Sequence, residues 1–281
     1  MQTRPWGQDG PQVPVIGQGT RELEAYDPGD VERAILAGLD AGMTHIDTAE
    51  MYGSGRVEEL LGRVLEGRRD EIFLVSKVLP SNASRKKVLA ACEGSLRRLR
   101  TDCLDGYLLH WPGSHPIAET LGAFEELMAA GKIRSYGVSN FDERRLREIQ
   151  KTFPEARIAC NQVLYHLEAR AIEHRVLPEY RAAGATVVGY SPFGAGKFPG
   201  PRHQGRRVLD AIAARHDATA YQVALAFLIR EDDTLAIPRT SNAAHARANA
   251  EAASVRLTAE DLQEIDRAFP QGPPRASLPT A

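Results

Sequence analysis

The sequence predicts an α/β fold, a single (β/α)8 TIM barrel in which eight parallel strands alternate with helices. Eight short apolar or β-branched segments recur along the 281-residue chain, and segments of helical period lie between them. Several of the short segments are apolar throughout, as expected of strands covered on both faces. The length is close to the ~250 residues of one such barrel, although two domains of ~150 residues or a doubly wound sheet would also fit.

Strands and helices are expected to alternate regularly. The strand candidates are residues 13–19, 44–47, 71–77, 104–110, 133–139, 157–162, 185–190 and 233–238. Helical periodicity covers residues 31–41, 57–65 and 88–99, and begins again near residues 117, 142, 169, 206 and 242. Gly131 is placed to end the fourth helix and Asp142 to cap the fifth. Two extra helices are predicted over residues 219–230 and 257–269, the second with a capping box formed by Thr258 and Asp261.

The chain offers no linker between domains. The Gly- and Pro-rich stretch 194–205 is the one long break, and we interpret it as a large loop after the seventh strand. Residues 1–281 are therefore expected to form one barrel domain. Residues 3–15, centred on Asp9-Gly10, predict an N-terminal hairpin that closes the barrel bottom. The Pro-rich tail, residues 270–281, is expected to be irregular and too short to cover a pocket fully.

Composition and charge restrict the class of protein. With 35 basic and 37 acidic residues the net charge is −2, which lacks the basic footprint of a nucleic-acid-binding protein. The three cysteines are too scattered for a disulfide scaffold, so a reducing compartment is expected. No apolar run approaches the ~20 residues of a membrane span, and the N-terminus lacks a signal-like apolar segment. We therefore expect a cytoplasmic protein that binds neither membranes nor nucleic acids.

Several common motifs are absent. Residues 53–58 lack the third glycine of a dinucleotide-binding fingerprint, and residues 191–198 lack the first glycine of a phosphate-binding loop. His45 and Asp47 would place two possible metal ligands on one strand face. No matching histidine pair ends a later strand, so no metal site is predicted.

Four polar residues follow three consecutive strands at their carboxyl ends, where barrel active sites lie. They are Asp47, Tyr52, Lys77 and His110. Each alone has an ordinary structural interpretation, such as ring packing, solvent exposure or hydrogen bonding to the backbone. Together they are harder to explain as structural residues, because a lysine and an aspartate inside a barrel mouth are costly unless they pair.

These residue types suit the protonation of a carbonyl oxygen. A tyrosine, with an ordinary pKa of ~10, is a poor proton donor near neutral pH. We expect Lys77 to lower the pKa of Tyr52 by ~2 units, which corresponds to ~3 kcal/mol, while Asp47 holds the ammonium charged. A neutral His110 could donate a hydrogen bond to a carbonyl oxygen. The set lacks only a hydride donor.

The motifs that carry these residues resemble those of the aldo-keto reductase family, of a bacterial type with a short C-terminal loop. The match comprises H-I-D-T-A-E-M-Y-G (45–53), V-S-K (75–77), L-L-H-W-P (108–112), G-V-S-N-F (137–141), N-Q-V (161–163), G-Y-S-P-F (189–193) and I-P-R-T-S (237–241). It spans nearly the whole chain. The resemblance implies NADPH-dependent reduction of aldehydes and ketones to alcohols, with Tyr52 as the proton donor. In such enzymes an extended NADPH lies across the barrel mouth without a dinucleotide fingerprint.

The resemblance also implies a cofactor site. Ser139, Asn140 and Gln162 would bind the nicotinamide carboxamide, and Tyr190 would stack on its ring. Other positions near the nicotinamide and pyrophosphate are Asp47, Gly19, Thr20, Ser191, Pro192 and Phe193. A structural interpretation stays open for two of these features: Ser139-Asn140 could be a turn before Asp142, and Tyr190 could pack in the core.

At the adenosine end, Arg239 with Thr240 and Ser241 suits a 2′-phosphate, so NADPH is preferred over NADH. Arg239 could also be a surface charge. His245 stands where many relatives place an arginine, and Ala248 where an acidic residue is common, although Asn249 keeps the neighbouring amide. Affinity at this end is therefore expected to be weaker than in those relatives.

The substrate is expected to be a small carbonyl compound that meets Tyr52 and His110. Apolar walls could come from Met51, Trp111, Trp6 or Phe193. Arg21 follows Thr20 where many relatives have tryptophan, and it could meet an anionic substrate group or remain a solvated charge.

Three other functions stay open from the sequence. Lys77 could be the nucleophile of a Schiff-base lyase, and His45 with Asp47 could serve a metal hydrolase. A nucleotide-sensing regulatory subunit of the same superfamily is the third alternative. A monomer is expected, because monomers are common in such families.

Overall fold

Eight parallel strands form one sheet in the computed structural model, which describes residues 1–275 and 277–280. Two further strands form an antiparallel hairpin before it, β1 Thr3–Pro5 and β2 Gln12–Pro14. The strands of the parallel sheet are β3 Gln18–Gly19, β4 His45–Asp47, β5 Phe73–Val78, β6 Gly106–Leu109, β7 Tyr136–Ser139, β8 Ile158–Leu164, β9 Thr186–Tyr190 and β10 Thr234–Ile237.

Neighbouring strands pair in chain order, and the first and last strands meet to close the barrel. The Gly17 N–H donates to the Ala236 carbonyl at 2.9 Å, and the Gly19 N–H donates to the Pro238 carbonyl at 3.0 Å. A parallel bridge joins Ile16 to Ala236 on the same seam. The predicted barrel is thus confirmed, and parallel pairing brings the carboxyl ends of all eight strands to one mouth.

The first predicted strand is wrong in one respect. Residues 13–19 do not form one strand, because residues 13 and 14 belong to β2 and pair with β1, whereas residues 18 and 19 form β3 and pair with β4. Hydrophobic pattern alone does not distinguish these partners, since both strands are buried.

The helices are α1 Pro28–Asp40, α2 Arg56–Val64, α3 Arg85–Leu99, α4 Ile117–Ala129, α5 Glu143–Thr152, α6 Val176–Ala182, α7 Gln204–Arg215, α8 Ala220–Leu228, α9 Ala243–Glu251 and α10 Ala259–Ala268. Helices α8 and α10 confirm the two extra helices. The Asp142 carboxylate accepts from the Arg145 N–H and caps α5, and Thr258 with Asp261 forms the predicted capping box. Within the described residues, no helix combines the length and apolarity needed to traverse a bilayer.

The N-terminal hairpin closes the bottom of the barrel, as predicted. The buried Arg4 guanidinium donates to the Thr234 and Ile229 carbonyls, each at 2.6 Å. The Trp6 ring is buried beneath the strands, and its indole N–H donates to the Ser135 hydroxyl at 3.0 Å. Trp6 therefore lies at the closed end, and the prediction that it lines the substrate pocket is wrong.

His45 lies in this closed end with its imidazole fully buried. Its ring packs against Trp6 and Phe73 with centroid distances of 5.4 and 5.7 Å. Glycine is needed at position 17, because a Cβ there would lie 2.7 Å from His45 Nδ1. Neither ring nitrogen has a hydrogen-bond partner among the described residues. Burial therefore lowers the pKa of His45 to about 4.

The loop after β9 is the predicted break and is anchored by aromatic rings. Three successive residues, Gly194 to Gly196, have positive φ values. Phe198 stacks on Tyr221 of α8 with centroids 4.1 Å apart, and Phe193 contacts both rings edge-on. In the C-terminal tail, residues 270–275 and 277–280 contain no helix or strand, while Ala276 and Ala281 lie outside the described residues.

The buried neutral His45 predicts acid-sensitive stability. Below its ordinary pKa of 6.5 the unfolded chain binds a proton at His45, whereas the folded chain does not until about pH 4. The free energy of unfolding should therefore fall by about 3 kcal/mol through this residue as the pH drops across that window. Urea unfolding at several pH values measures this decrease. In His45→Gln, the free energy of unfolding should fall by about 3 kcal/mol less than in the wild type over the same pH range. The control His115→Gln, in a loop outside the barrel, should behave as wild type. Identical pH dependence in His45→Gln would contradict the assignment.

Candidate active site

A buried ion pair lies at the carboxyl ends of β4 and β5. The Lys77 ammonium donates to Asp47 Oδ1 at 2.6 Å, to the Thr48 carbonyl at 2.8 Å and to the Tyr52 hydroxyl at 3.2 Å. Both charged side chains are almost completely buried. All three ammonium hydrogens thus have an acceptor, as an ion pair withdrawn from water requires.

The local chain holds this arrangement in place. Gly19 of β3 pairs with Asp47 of β4, and the next residue, Thr20, donates its hydroxyl to the Asp47 carbonyl at 2.8 Å. Tyr52 begins a short 3-10 turn in which Gly53 has φ 56°. A Cβ at Gly53 would lie within 3 Å of Glu24, so this turn needs glycine for both its backbone conformation and its packing.

His110 completes the predicted group. Its ring lies edge-on to Tyr52 with centroids 5.8 Å apart, at the end of β6. Burial lowers its pKa to about 2, and the positive charges of Lys77 and Arg21 act in the same direction. Nδ1 is buried and has no partner among the described residues. The imidazole is therefore neutral, and its ring nitrogens make no hydrogen bond to another described residue.

The predicted acidity of Tyr52 is wrong. Burial raises the pKa of its phenol, and the nearby Asp47 carboxylate adds to this effect. The Lys77 charge and hydrogen bond lower the pKa but do not outweigh burial. Burial also lowers the pKa of Lys77, yet Asp47 and Tyr52 together raise it above its ordinary value. The lysine is thus charged and the tyrosine protonated at neutral pH.

A polar network extends from the ion pair to the next strands. Gln162 of β8 donates to the second Asp47 oxygen, Oδ2, at 2.7 Å. The Ser139 hydroxyl at the end of β7 donates to the Gln162 carbonyl at 2.8 Å and accepts from Asn140 at 3.1 Å. The Tyr190 hydroxyl donates to Asn140 Oδ1 at 2.9 Å. The structure thus brings these four predicted cofactor residues together beside Asp47.

Two residues at this rim have strained backbones. Asn140 has φ 61° and Ser191 has φ 50°, the left-handed region that non-glycine residues seldom adopt. Each directly follows a strand, β7 or β9. Such strain concentrates at ligand sites, and both positions belong to the predicted cofactor site.

The predicted adenosine-end residues lie around the start of α9. The Asn242 side chain caps this helix by accepting from the backbone N–H groups of Ala244 and His245. Thr240 accepts from the Asn242 N–H at 3.0 Å. Of the remaining predicted residues, Ser241 is half-buried, His245 is exposed, and Asn249 is buried on the inner face of α9.

Arg239 points elsewhere, toward the segment that follows β3. Its guanidinium donates to the Arg21 carbonyl at 3.1 Å and to Glu22 Oε2 at 3.2 Å, and lies over the Tyr26 ring. The sequence analysis missed Glu22, whose other oxygen lies 3.4 Å from Arg21 Nε. No local pattern connects these residues, because Arg239 and Glu22 are 217 positions apart.

Two of the predicted substrate residues, Trp111 and Met51, directly follow or precede a residue of the central group, His110 or Tyr52. Trp111 packs on the His110 ring with centroids 4.8 Å apart and remains 37% exposed, and Met51 is 39% exposed. Large exposed apolar side chains beside a polar centre are typical of a binding pocket. Phe193 instead packs into the loop after β9.

The proposed metal alternative does not fit. His45 packs among aromatic rings at the closed end, whereas the Asp47 carboxylate is engaged by Lys77 and Gln162 at the mouth. Within the described residues, no cluster of three or more His, Cys, Asp or Glu side chains could hold a metal ion.

Fold and site define a (β/α)8-barrel enzyme equipped to protonate a carbonyl oxygen. The aldo/keto reductase family pattern matches residues 15–269. The chain is 42% identical over 261 residues to methylglyoxal reductase YeaE of Escherichia coli (strain K12), with 92% of each covered. Two Klebsiella pneumoniae aldo-keto reductase structures, with NADP and acetate or with NADPH, align over 100% of both chains with TM-scores of 0.94 and 0.93 and identities of 39% and 40%. The chain therefore belongs to the aldo/keto reductase family and is an oxidoreductase acting on carbonyl groups.

The buried ion pair predicts strong coupling in stability. Lys77→Met should lower the free energy of unfolding by about 3 kcal/mol or more, because it leaves the Asp47 carboxylate buried without its cation. The double variant Asp47→Asn/Lys77→Met should recover at least about half of this loss, since no charge then remains buried. Guanidinium unfolding measures both, with Lys87→Met on the surface of α3 as the control. Additive losses in the double variant would show that the two charges are not coupled.

Proposed function

We propose that this enzyme reduces aldehydes and ketones to alcohols with NADPH, with Tyr52 as the proton donor and Lys77, Asp47 and His110 as its partners. The observation that carries the proposal is the placement of the Lys77 ammonium 2.6 Å from Asp47 and 3.2 Å from the Tyr52 hydroxyl. This group lies beside a neutral imidazole at the mouth of the barrel. Bound NADPH supplies the hydride that reaches the carbonyl carbon.

His110 orients the substrate. Since its imidazole is neutral, it carries one N–H, which donates to the carbonyl oxygen and fixes it near the Tyr52 hydroxyl. The ring makes no hydrogen bond to other side chains among the described residues. It therefore needs to give up no protein partner when the substrate binds.

Tyr52 completes the reduction by donating its proton to the oxygen. Burial keeps the phenol protonated across the neutral range, so the donor form is the resting form. The oxygen of the reduced carbonyl is far more basic than a phenol, so the transfer is downhill. The Lys77 ammonium, 3.2 Å away, stabilises the phenolate that remains. Asp47 keeps that ammonium charged and oriented.

The residues at the mouth fit a nicotinamide. Gln162 directs its amide nitrogen at Asp47, and no described residue bonds its Oε1, which can accept from the carboxamide. Ser139 and Asn140 lie beside it, and Tyr190 presents a half-buried ring at the end of β9. The segment from Ser191 to Phe193 after β9, with Gly19 and Thr20 at the end of β3 on the other side of β10, would hold the pyrophosphate side of the cofactor.

Arg239, Thr240 and Ser241 would hold the 2′-phosphate at the start of α9, with His245 and Asn249 nearby. Thr240 and Ser241 directly precede Asn242, which caps α9, and the backbone N–H groups of a helix N-terminus favour a phosphate. Arg239 must first exchange its contact with Glu22 for the phosphate.

The proposal also covers the domain organisation, the oligomeric state and the cellular location of the protein. We infer one barrel domain over residues 1–281, acting as a monomer in the cytoplasm without nucleic acid. The near-neutral charge and the three free cysteines support this environment.

A Schiff-base lyase is disfavoured by the state of Lys77. A nucleophilic lysine must be uncharged, whereas Asp47 and Tyr52 raise the pKa of this ammonium. A purely nucleotide-sensing role would not require Tyr52 and its buried ion pair to lie beside His110. Neither alternative explains the site as well as carbonyl reduction.

Tyr52→Phe tests the proposed proton donor. We expect kcat for aldehyde reduction to fall by about 100- to 10,000-fold, because the carbonyl oxygen loses its positioned acid. NADPH binding, followed by fluorescence titration, should stay within about twofold. Tyr180→Phe is the matched control, since the buried Tyr180 hydroxyl in α6 has no hydrogen-bond partner among the described residues. Substantial turnover by Tyr52→Phe would exclude the assigned role.

Glu22→Gln tests the proposed phosphate contact of Arg239. Removal of the carboxylate should lower the dissociation constant for NADPH about fivefold, because Arg239 loses a competing partner and the phosphate loses a neighbouring negative charge. The dissociation constant for NADH, which lacks the 2′-phosphate, should change much less. The exposed Glu32→Gln on α1 is the control. An unchanged or weaker affinity for NADPH would place the phosphate away from Arg239.

A further inference from the structure

Residues 48–51 join β4 to the Tyr52 turn and lie along β5. Their backbone donates to β5 twice, and the second of these bonds runs from the Glu50 N–H to the Lys77 carbonyl at 3.3 Å. The hydrogen bonding typical of parallel strands thus continues beyond the end of β4. The position of this segment on β5 therefore determines where the Tyr52 phenol lies relative to the Lys77 ammonium.

The Glu50 carboxylate attaches this segment to the loop that directly follows β5. Its Oε1 accepts from the Leu79 N–H at 2.7 Å and from the Asn82 side-chain amide at 3.0 Å. Hydrogen bonds to a carboxylate are stronger than those between neutral groups. Of the other side chains in the segment, two are apolar, and the buried Thr48 hydroxyl has no partner among the described residues. Within residues 48–51, all of which the structure describes, Glu50 thus provides the side-chain hydrogen bonds.

The loop after β5 also supports His110. The carbonyl of Val78, the last residue of β5, accepts from the His110 N–H at 3.0 Å. Pro80 packs so closely on the loop after β6 that a Cβ at Gly113 would lie 2.7 Å from the Pro80 Cβ. The Glu50 carboxylate therefore connects the segment before the proton donor to a loop that is fixed against the chain carrying the imidazole.

The other side of the Tyr52 turn is attached to β5 separately. Helix α2 follows the turn and carries the fully buried Glu58. The Glu58 carboxylate accepts from the Ser76 hydroxyl of β5 at 2.6 Å and from Arg98 Nε at 2.7 Å. Removal of the Glu50 carboxylate leaves these contacts in place. We therefore expect it to loosen the chain before Tyr52 without unfolding α2.

We propose that Glu50 is a positioning residue for the proton donor, and that its carboxylate holds the Tyr52 hydroxyl in place beside Lys77. The inference rests on the proposed function and assigns to that reaction a residue that need not touch the substrate. A displacement of a reacting group by about 1 Å can lower a rate by about 100-fold. The carboxylate acts here as a hydrogen-bond acceptor, so an amide of the same length can replace it.

The single-turnover rate of NADPH oxidation by an aldehyde tests the proposal, because it reports the chemical step. Glu50→Ala should lower this rate about 10- to 100-fold, while the dissociation constant for NADPH stays within about twofold. Glu50→Gln should stay within about threefold of the wild type, because its amide oxygen can accept from Leu79. Glu119→Ala is the matched control and should behave as wild type. Glu119 also accepts from a backbone N–H, that of Arg85 at 2.9 Å, but joins α4 to α3.

A double variant separates the positioning of Tyr52 from a general structural role. In Tyr52→Phe the proton donor is already absent, so adding Glu50→Ala should change the residual rate by less than about twofold. A loss as large as that in the wild-type background would overturn the proposal, as would an unchanged rate in Glu50→Ala itself.

Asn82→Ala keeps the test decisive if Glu50→Ala does not fold. It removes one of the two donors to Glu50 and leaves the other. The single-turnover rate should fall about threefold in the wild-type background and stay unchanged in Tyr52→Phe. Equal losses in the two backgrounds, or no loss in either, would overturn the proposal.

A measurement without turnover separates this inference from the proposed function. In protein with isotope-labelled tyrosine Cζ atoms, the NMR signal of Tyr52 is identified by its loss in Tyr52→Phe. This signal should shift in Glu50→Ala, because the hydrogen bond from Lys77 weakens, and should keep its wild-type position in Glu50→Gln and Glu119→Ala. An unmoved signal in Glu50→Ala overturns the positioning role. If the wild type reduces no aldehyde, the proposed function fails, while this signal still decides the role of Glu50.

Discussion

The site depends on one interaction, the ion pair of Lys77 and Asp47 inside the barrel mouth. Two charges removed from water are tolerable only when each finds its full set of partners. Asp47 receives Lys77 on one oxygen and Gln162 on the other, and Lys77 fills its remaining donor positions with the Thr48 carbonyl and the Tyr52 hydroxyl. The Tyr52 phenol is therefore held in position by the hydrogen bond that it accepts from the Lys77 ammonium. Strands β4, β5 and β8 are fixed relative to one another by the same contacts.

Two neutral histidines show how the ends of one barrel differ. Burial lowers the pKa of both His45 and His110, and both rings contact aromatic side chains. His45 is sealed beneath the hairpin by Trp6, so its unpaired nitrogens only weaken the fold in acid. His110 lies next to the exposed Trp111, where a ligand can reach it. The same desolvation is thus a liability at the closed end and a useful property at the open end.

Much of the fold and of the central site could be predicted because both follow from local pattern. Alternating elements give the barrel, and residues at the ends of consecutive strands, such as Asp47, Lys77 and His110, must converge once strands are parallel. The predictions were wrong or incomplete in two kinds of case. In one, two opposing effects determine a pKa, and in the other, a contact joins residues that are far apart in sequence. The direction of the Tyr52 pKa depends on burial exceeding the Lys77 charge, and the contact of Arg239 with Glu22 joins opposite ends of the chain. Neither leaves a signal in local sequence.

The raised pKa of Tyr52 also determines which form of the phenol is present when the proposed reaction begins. Reduction needs the protonated phenol, which burial favours, whereas alcohol oxidation needs the phenolate as a base. A more acidic tyrosine would populate the phenolate and assist oxidation. Because Asp47 neutralises Lys77, the pair holds the phenol in place without making it strongly acidic. The lysine charge then matters most after the proton has left, when it faces a negative oxygen at short distance. The environment of the tyrosine thus keeps the acid that reduction needs protonated at neutral pH, while the equilibrium between carbonyl and alcohol is unchanged by the enzyme.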